Sequence, residues 1–183
     1  MPDVRRRERE DFTPLELQNL LTWLEAAYDE PAGSWRFAHW AEIGPGPHYL
    51  IEEDGELVAH ACVAFGALQA GDLALTAAFV EDVAARADRR REGLATLVMQ
   101  TLQRDLGAPG QLGVLCTGTP AFYEPLGWER WRGPTSVREP HGAITATPEE
   151  DGNVFILRTP QTPTGLALDA PLRRNRRDVD EAW

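Results

Sequence analysis

No lysine occurs anywhere in the chain, so arginine supplies every side-chain cation apart from four histidines. That absence excludes a Schiff-base mechanism and a P-loop phosphate site, both of which need a lysine amine. Cysteine is scarce too. Cys62 and Cys116 are the only two, too few for a disulfide framework, and neither has a His or Cys at metal-ligand spacing. Both lie in apolar runs and read as buried thiols, so no metal site is expected. No apolar run approaches the ~18 residues that a membrane span requires. The N-terminal Met-Pro-Asp-Val-Arg-Arg-Arg-Glu has no apolar stretch behind it, unlike a secretory signal. A cytoplasmic protein is expected. Net positive charge is also lacking. The formal charge of −11 disfavours nucleic acid and anionic membrane surfaces as partners and suits a cationic one.

What the chain does have is a core. It has 183 residues, 43% of them apolar, which fits a single domain over 1–183. Thr13-Pro14-Leu15-Glu16 has the form of a capping box with proline at the first helical position. Leu17, Leu20, Leu21, Leu24 and Tyr28 follow at helical spacing, predicting a helix over 14–28. Residues 29–47 are rich in Trp, Pro and Gly, with a short helix expected around Trp35–Ala41 and a role as a lid or pocket wall. Tyr49–Glu53, Asp54-Gly55 and Glu56–Leu68 read as a hairpin, and Ala70-Gly71-Asp72 turns the chain into a further strand, Leu73–Ala85. Beyond it come a helix over 93–106, a strand Gln111–Thr117, a short helix Pro120–Leu126 and strands at Trp128–Arg132 and Asn153–Leu157. Residues 159–183 are polar and proline-punctuated, and composition alone reads them as a disordered tail.

Arg90-x-x-Gly93-x-Ala95 stands between the strand carrying Glu81 and an amphipathic helix. The unpaired N–H groups of that helix's first turn, together with its dipole, favour an anion. Gly93 allows close approach to the backbone, Ala95 is nearly as small, and Arg90 and Arg91 add forked positive charge. The pattern reads as a pyrophosphate cradle.

A strand bearing an acid, Arg-x-x-Gly-x-Ala, a helix, a strand and then Tyr123 on a short helix resembles the GCN5-related N-acetyltransferase (GNAT) superfamily. Phe79-Val-Glu81-Asp-Val-Ala-Ala-Arg-Ala-Asp88, Gln111-Leu-Gly-Val-Leu115, Gly133-Pro-Thr-Ser-Val137, Thr147-Pro-Glu-Glu-Asp-Gly-Asn-Val-Phe155 and a terminal Trp183 resemble the aminoglycoside 2′-N-acetyltransferases more closely. The resemblance implies an α+β fold around a strongly bent mixed sheet, whose splayed parallel strands hold acetyl-CoA. It implies Glu81 as base for the attacking amine and Val83 N–H as donor to the thioester oxygen. Val83 and Ala85 would pair with the pantetheine arm, Tyr123 would protonate the departing thiolate, and the Trp183 end would fold back into the acceptor site. A homodimer is compatible with the resemblance, although no exposed apolar stripe demands one.

Acceptor recognition is where the chain departs from that family. Asp151 and Glu181 match acidic positions that contact a cationic amino-sugar. Two further aspartates expected in the first third are replaced by Ser34 and His39. Fewer carboxylates suit an acceptor with fewer amines, because each unpaired buried acid costs desolvation. The expectation is therefore the divergent kasugamycin-acetylating branch.

Overall fold

The computed structural model describes residues 2–31, 46–107, 112–176 and 183. The helix expected around Trp35–Ala41, with Ser34 and His39, lies outside these, as does Glu181. The chain divides into two compact units, residues 1–64 with 80–105 and residues 65–79 with 106–183. No helix among the described residues is long and apolar enough to cross a membrane.

In the first unit the N-terminal strand β1 (Arg5–Arg7) pairs antiparallel with β2 (His48–Glu53), and β2 pairs antiparallel with the early part of β3 (Glu56–Ala70). The β2–β3 connection is the expected Asp-Gly turn. Asp54 and Gly55 both take positive φ, 52° and 82°, the backbone that matches the twist of a two-residue hairpin. Helix α1 (Pro14–Tyr28) starts where the sequence places it. The Glu16 amide donates to Thr13 Oγ1 at 3.3 Å, and Glu16 Oε2 accepts from the Thr13 amide at 2.7 Å. Its leucines Leu17, Leu20, Leu21 and Leu24 are buried with Ala27 and Ala84, flanked by Phe12, Trp23 and Leu57. Tyr28 departs from the expected stripe: it lies 43% exposed at the helix end. Helix α2 (Leu94–Asp105) buries Leu94, Val98, Met99 and Leu102.

The strands follow the order β6 (Glu129–Arg130), β9 (Val154–Arg158), β5 (Leu112–Cys116), β4 (Leu73–Ala85), β3, β10 (Leu172–Asn175), β7 (Thr135–Arg138), β8 (Ile144–Ala146), a mixed sheet to which the second unit contributes β4 only as far as Phe79 and β3 only from Phe65. β4 and β5 are parallel, Ala77 opposite Leu112 and Phe79 opposite Val114, and this ladder stops well before β4 itself ends. β5 and β9 are antiparallel. The short helix α3 (Pro120–Tyr123) runs into a 3-10 turn at Glu124–Leu126, which Gly127 closes at φ 90°. Helices and a sheet of mixed direction give the α+β class expected.

Two expectations fail here. The tail is not disordered over 159–176, because β10 lies inside the sheet, antiparallel to β3 and parallel to β7. Its polar side chains find specific partners. The Arg174 guanidinium lies 4.4 Å from the Phe79 ring centroid, and Arg176 Nε is 2.8 Å from Glu139 Oε2. Cys62 is buried as expected, but Cys116 is only half-buried, with its Sγ 3.1 Å from Glu150 Oε2.

Candidate active site

β4 carries the residues expected to do chemistry, and it is broken there. Asp82 has φ 55°, a left-handed residue inside a strand, which is the backbone form of a bulge. Glu81 precedes the break and Val83 follows it, both half-buried. In an unbroken strand these two residues, two positions apart, would present to the same face. The left-handed residue resets that alternation between the acid and the next amide. β4 lies between β3 and β5 in the sheet order, but its ladder with β5 ends at Phe79, two residues before Glu81. The Val83 carbonyl accepts from the Tyr28 hydroxyl at 3.0 Å.

Directly behind the break, β2 and β3 contribute three buried polar side chains. His60 is fully buried, and its Nδ1 is 3.0 Å from the Asp82 carbonyl oxygen. A carbonyl only accepts, so the His60 proton is on Nδ1 and Nε2 is the acceptor. That nitrogen is 2.9 Å from His48 Nδ1, which must be the donor. Burial pushes His60 down to about 4, and burial with the neighbouring His60, Arg9 and Arg7 pushes His48 down to about 2. Both rings are neutral. Cys62 Sγ is 3.6 Å from the Glu81 carbonyl oxygen and 3.5 Å from Asp82 Oδ2. Burial, reinforced by both carboxylates, raises this thiol well above its ordinary range, so it stays protonated and is a poor nucleophile. Metal-ligand spacing assigns Cys62 no histidine partner, yet donor atoms of His48, His60 and Cys62 lie within 4.8 Å of one another.

The turn after β4 has the backbone of an anion cradle. Arg91 and Gly93 take φ 68° and 82°, and a Cβ built on Gly93 meets nothing within 4 Å. The Leu97 amide donates to the Gly93 carbonyl at 3.0 Å. The amides of Leu94, Ala95 and Thr96 therefore lead out of the helix end, where the dipole is positive. The arginines divide their work. Arg90 Nη2 donates to the Ala27 carbonyl at 2.6 Å, satisfying the C-terminal end of α1. Arg89 bridges Glu53 at 2.7 Å and Glu92 at 2.8 Å, bracing the turn. Arg91 is exposed and has no partner among the described residues, so it is the guanidinium left for an anion. Ala85 is half-buried at the end of β4, where the next amide, Arg86, donates to the Val58 carbonyl at 2.9 Å.

In the second unit Tyr123 is 8% exposed, edge-on to Phe122 at 4.8 Å and to Trp128 at 6.3 Å. Burial pushes its phenol up to about 12, so it is protonated at any physiological pH. Asp151 is exposed. Its Oδ1 accepts from the Thr135 amide at 2.8 Å and from Thr135 Oγ1 at 2.9 Å. Trp183 is folded onto its own unit, Nε1 donating to Thr147 Oγ1 at 3.0 Å, with Arg174 5.9 Å from its ring centroid.

The acetyltransferase (GNAT) domain family matches residues 10–131. The chain belongs to the GNAT acetyltransferase family. It is also 41% identical over 139 residues to an aminoglycoside 2′-N-acetyltransferase of Mycolicibacterium fortuitum, covering 75% of this chain and 70% of that one. Among solved structures it resembles the GNAT family N-acetyltransferase YhbS from Escherichia coli in complex with CoA. The TM-score there is 0.64 at 13% identity, over 95% of this chain and 91% of that one. A larger relative in fold is Eis1 from Mycobacterium abscessus, with a TM-score of 0.58 at 16% identity over 74% of this chain. The GNAT chain spans only 33% of Eis1.

Sequence reasoning missed the His48–His60–Cys62 group of this GNAT chain and the left-handed Asp82. The only signal available was an Asp directly after Glu81 in a mostly apolar strand. Aspartate is, with asparagine, the side chain that most readily enters left-handed backbone after glycine.

Proposed function

We propose that the chain transfers the acetyl group of acetyl-CoA to the 2′-amine of an aminoglycoside, with kasugamycin-type acceptors favoured. The observation that carries this reading is the 41% identity with the Mycolicibacterium fortuitum aminoglycoside 2′-N-acetyltransferase. The first unit supports it with chemistry. Glu81 and Val83 flank the break in β4, and an amide-lined turn with a spare arginine follows within the same stretch of chain.

The residues present fit the cosubstrate. The left-handed Arg91 and Gly93 and the amides of α2 would hold its pyrophosphate, with Arg91 as the mobile cation. Val83 and Ala85 would pair with the pantetheine arm by main-chain bonds, and the Tyr28 hydroxyl would then have to yield the Val83 carbonyl. Glu81 takes a proton from the attacking ammonium, directly or through one water. Val83 N–H would donate to the thioester oxygen as it gains negative charge, a contact typically worth ~2.7–4 kcal/mol. Tyr123 hands its proton to the departing sulfur. Burial holds the phenol near 12, a weaker acid than an ordinary thiol, which favours transfer that accompanies bond cleavage. Cys62 forms no acyl intermediate, since its thiol is held protonated. Asp151, Glu181, His39 and Trp183 are proposed as acceptor-side residues, and Ser34 as the place where a carboxylate is missing.

Thiol release from acetyl-CoA with kasugamycin, gentamicin, tobramycin, neomycin and kanamycin A tests the assignment, because kanamycin A has a hydroxyl in place of the 2′-amine. Turnover of kasugamycin alone supports the narrow reading. Broad turnover that spares kanamycin A keeps the 2′ position and removes the narrow acceptor. No turnover with any of the five overturns the aminoglycoside reading.

A further inference from the structure

The proposed mechanism uses Glu81 and Val83 but leaves unexplained what holds Asp82, between them, in left-handed backbone. Aspartate enters that conformation more readily than other non-glycine residues, but inside a strand it persists only where its surroundings fix it. The fixing groups are side chains of β2 and β3. His60 Nδ1–H points at the Asp82 carbonyl at 3.0 Å, and Cys62 Sγ lies 3.5 Å from the Asp82 carboxylate and 3.6 Å from the Glu81 carbonyl. The carbonyl requires the His60 proton on Nδ1, so the 2.9 Å contact between His48 Nδ1 and His60 Nε2 has His48 as its donor.

We propose that His60 is a positioning residue for acetyl transfer: its Nδ1–H clamps the Asp82 carbonyl, fixing the break in β4 and thereby the directions of Glu81 and the Val83 amide. His48 acts one step back, its N–H on Nε2 reinforcing the Nδ1–H tautomer that the carbonyl requires. The inference rests on the acetyl-transfer reading of Glu81 and Val83.

The surroundings argue against packing as the whole reason for these rings. His60 lies between Ala59 and Ala61, all three completely buried, and His48 is 4% exposed. Two buried imidazoles cost desolvation that aliphatic side chains would not, unless their nitrogens are needed. Each nitrogen of His60 is engaged, and the last acceptor in the series is the peptide between the acid and the oxyanion donor. Two imidazole nitrogens on one tetrahedral zinc ion would stand about 3.3 Å apart, given bonds of ~2.0–2.1 Å. The 2.9 Å found here is the separation of a hydrogen bond.

The test compares wild type with His60→Leu, His60→Asn and His48→Phe, using an amine that wild type acetylates. For folded His60→Leu, kcat should fall by about tenfold or more while KM for the amine stays within about threefold, since the oxyanion contact is made in the transition state. His60→Asn, which restores an N–H near the former Nδ1, should recover most of that loss. His48→Phe should lower kcat by about threefold and leave His60 as a tautomer mixture in long-range proton–nitrogen NMR, where wild type shows Nδ1–H alone. Amide hydrogen exchange over residues 81–85 should quicken in His60→Leu and not in His60→Asn. Unchanged kcat and exchange in a folded His60→Leu would overturn the proposal. So would a wild-type His60 protonated on Nε2, or stoichiometric metal bound to the purified protein. If His60→Leu does not fold, His60→Asn and His48→Phe decide by the same readings. If wild type acetylates no amine, the acetyl-transfer reading fails separately, and the exchange and NMR measurements still support or overturn the clamp.

Discussion

Trp183 donates its indole N–H to Thr147 Oγ1 at 3.0 Å, which ties the last residue of the chain to a side chain that is 1% exposed. The contact continues inward. Thr147 Oγ1 is 2.8 Å from Thr135 Oγ1, and Thr135 Oγ1 is 2.9 Å from Asp151 Oδ1. An indole can only donate and a carboxylate can only accept. The contacts lead from Trp183 through two threonines, and the Thr135 hydroxyl proton is shared between the Thr147 carbonyl at 2.8 Å and Asp151 Oδ1. The Gly-Pro-Thr-Ser-Val and Thr-Pro-Glu-Glu-Asp segments are thus parts of a single connection. If the acceptor binds against Trp183, Thr147→Val should raise KM for the amino-sugar several-fold and leave KM for acetyl-CoA unchanged, in line with one hydrogen bond of about 1 kcal/mol. Steady-state kinetics with each substrate varied separately checks this. An equal change in both constants would mean general disruption.

Tyr123 is surrounded by Phe122 and Trp128 rather than by charge. Tyr123→Phe removes one oxygen and leaves the packing, so stability should change by less than about 1 kcal/mol. If the phenol is the acid for the departing sulfur, kcat should drop by about 10²-fold or more with little change in KM. The wild-type enzyme should also show no alkaline loss of activity attributable to this group below pH ~10, because burial holds it near 12. Parallel melting curves and pH–rate profiles of the two proteins separate the chemical role from the packing role.

Gly133 opens the Gly-Pro-Thr-Ser-Val segment for a steric reason. A Cβ there would lie 2.0 Å from the Ala170 carbonyl oxygen and 2.6 Å from that of Asp169. The Gly133 amide also donates to the Leu168 carbonyl at 3.1 Å, so the two backbones cannot easily part. Gly133→Ala should destabilise the protein by roughly 2–4 kcal/mol, toward the upper end for a single substitution. Denaturant unfolding measures it. A loss under ~0.5 kcal/mol would show that the approach of residues 168–170 is not maintained in solution.

Legibility in the sequence followed locality. The α1 capping box, the Asp54-Gly55 turn, the span of β4 and the first turn of α2 are all set by residues a few positions apart, and each lies where the pattern placed it. β10 was not legible. Leu-Arg-Arg-Asn has the composition of a solvated tail, and it is ordered by Phe79, Ser136 and Glu139, each more than thirty residues away. β1, three arginines in a row, was missed for the same reason: it is defined by pairing with His48, Tyr49 and Leu50. In the candidate site, Glu81, Val83, Gly93 and Tyr123 could be named from motifs. His60 could not, because its value lies in one carbonyl on another strand, and no spacing rule brings His48, His60 and Asp82 together.

The same buried pair makes a prediction about pH and stability. His48 and His60 are held neutral in the folded protein, at about 2 and about 4, whereas in the unfolded chain both titrate near ~6.5. Above pH ~6.5 neither state binds these protons, and stability is unaffected. Below it the unfolded chain takes up two protons that the folded protein refuses, so stability falls as pH falls. The decline from both rings extends down to about 4, and from His48 alone toward about 2. Between pH 6.5 and 5, where ordinary carboxylates remain ionised, the expected slope is on the order of 1 kcal/mol per pH unit for each ring. Urea unfolding at half-unit steps from pH 7.5 to 5 should therefore give a plateau followed by a decline. His48→Phe should lessen the decline, since it removes one of the two refused protons. A flat profile across the whole range would mean that the imidazoles charge within the folded state, contrary to the hydrogen-bonded chain they form with Asp82.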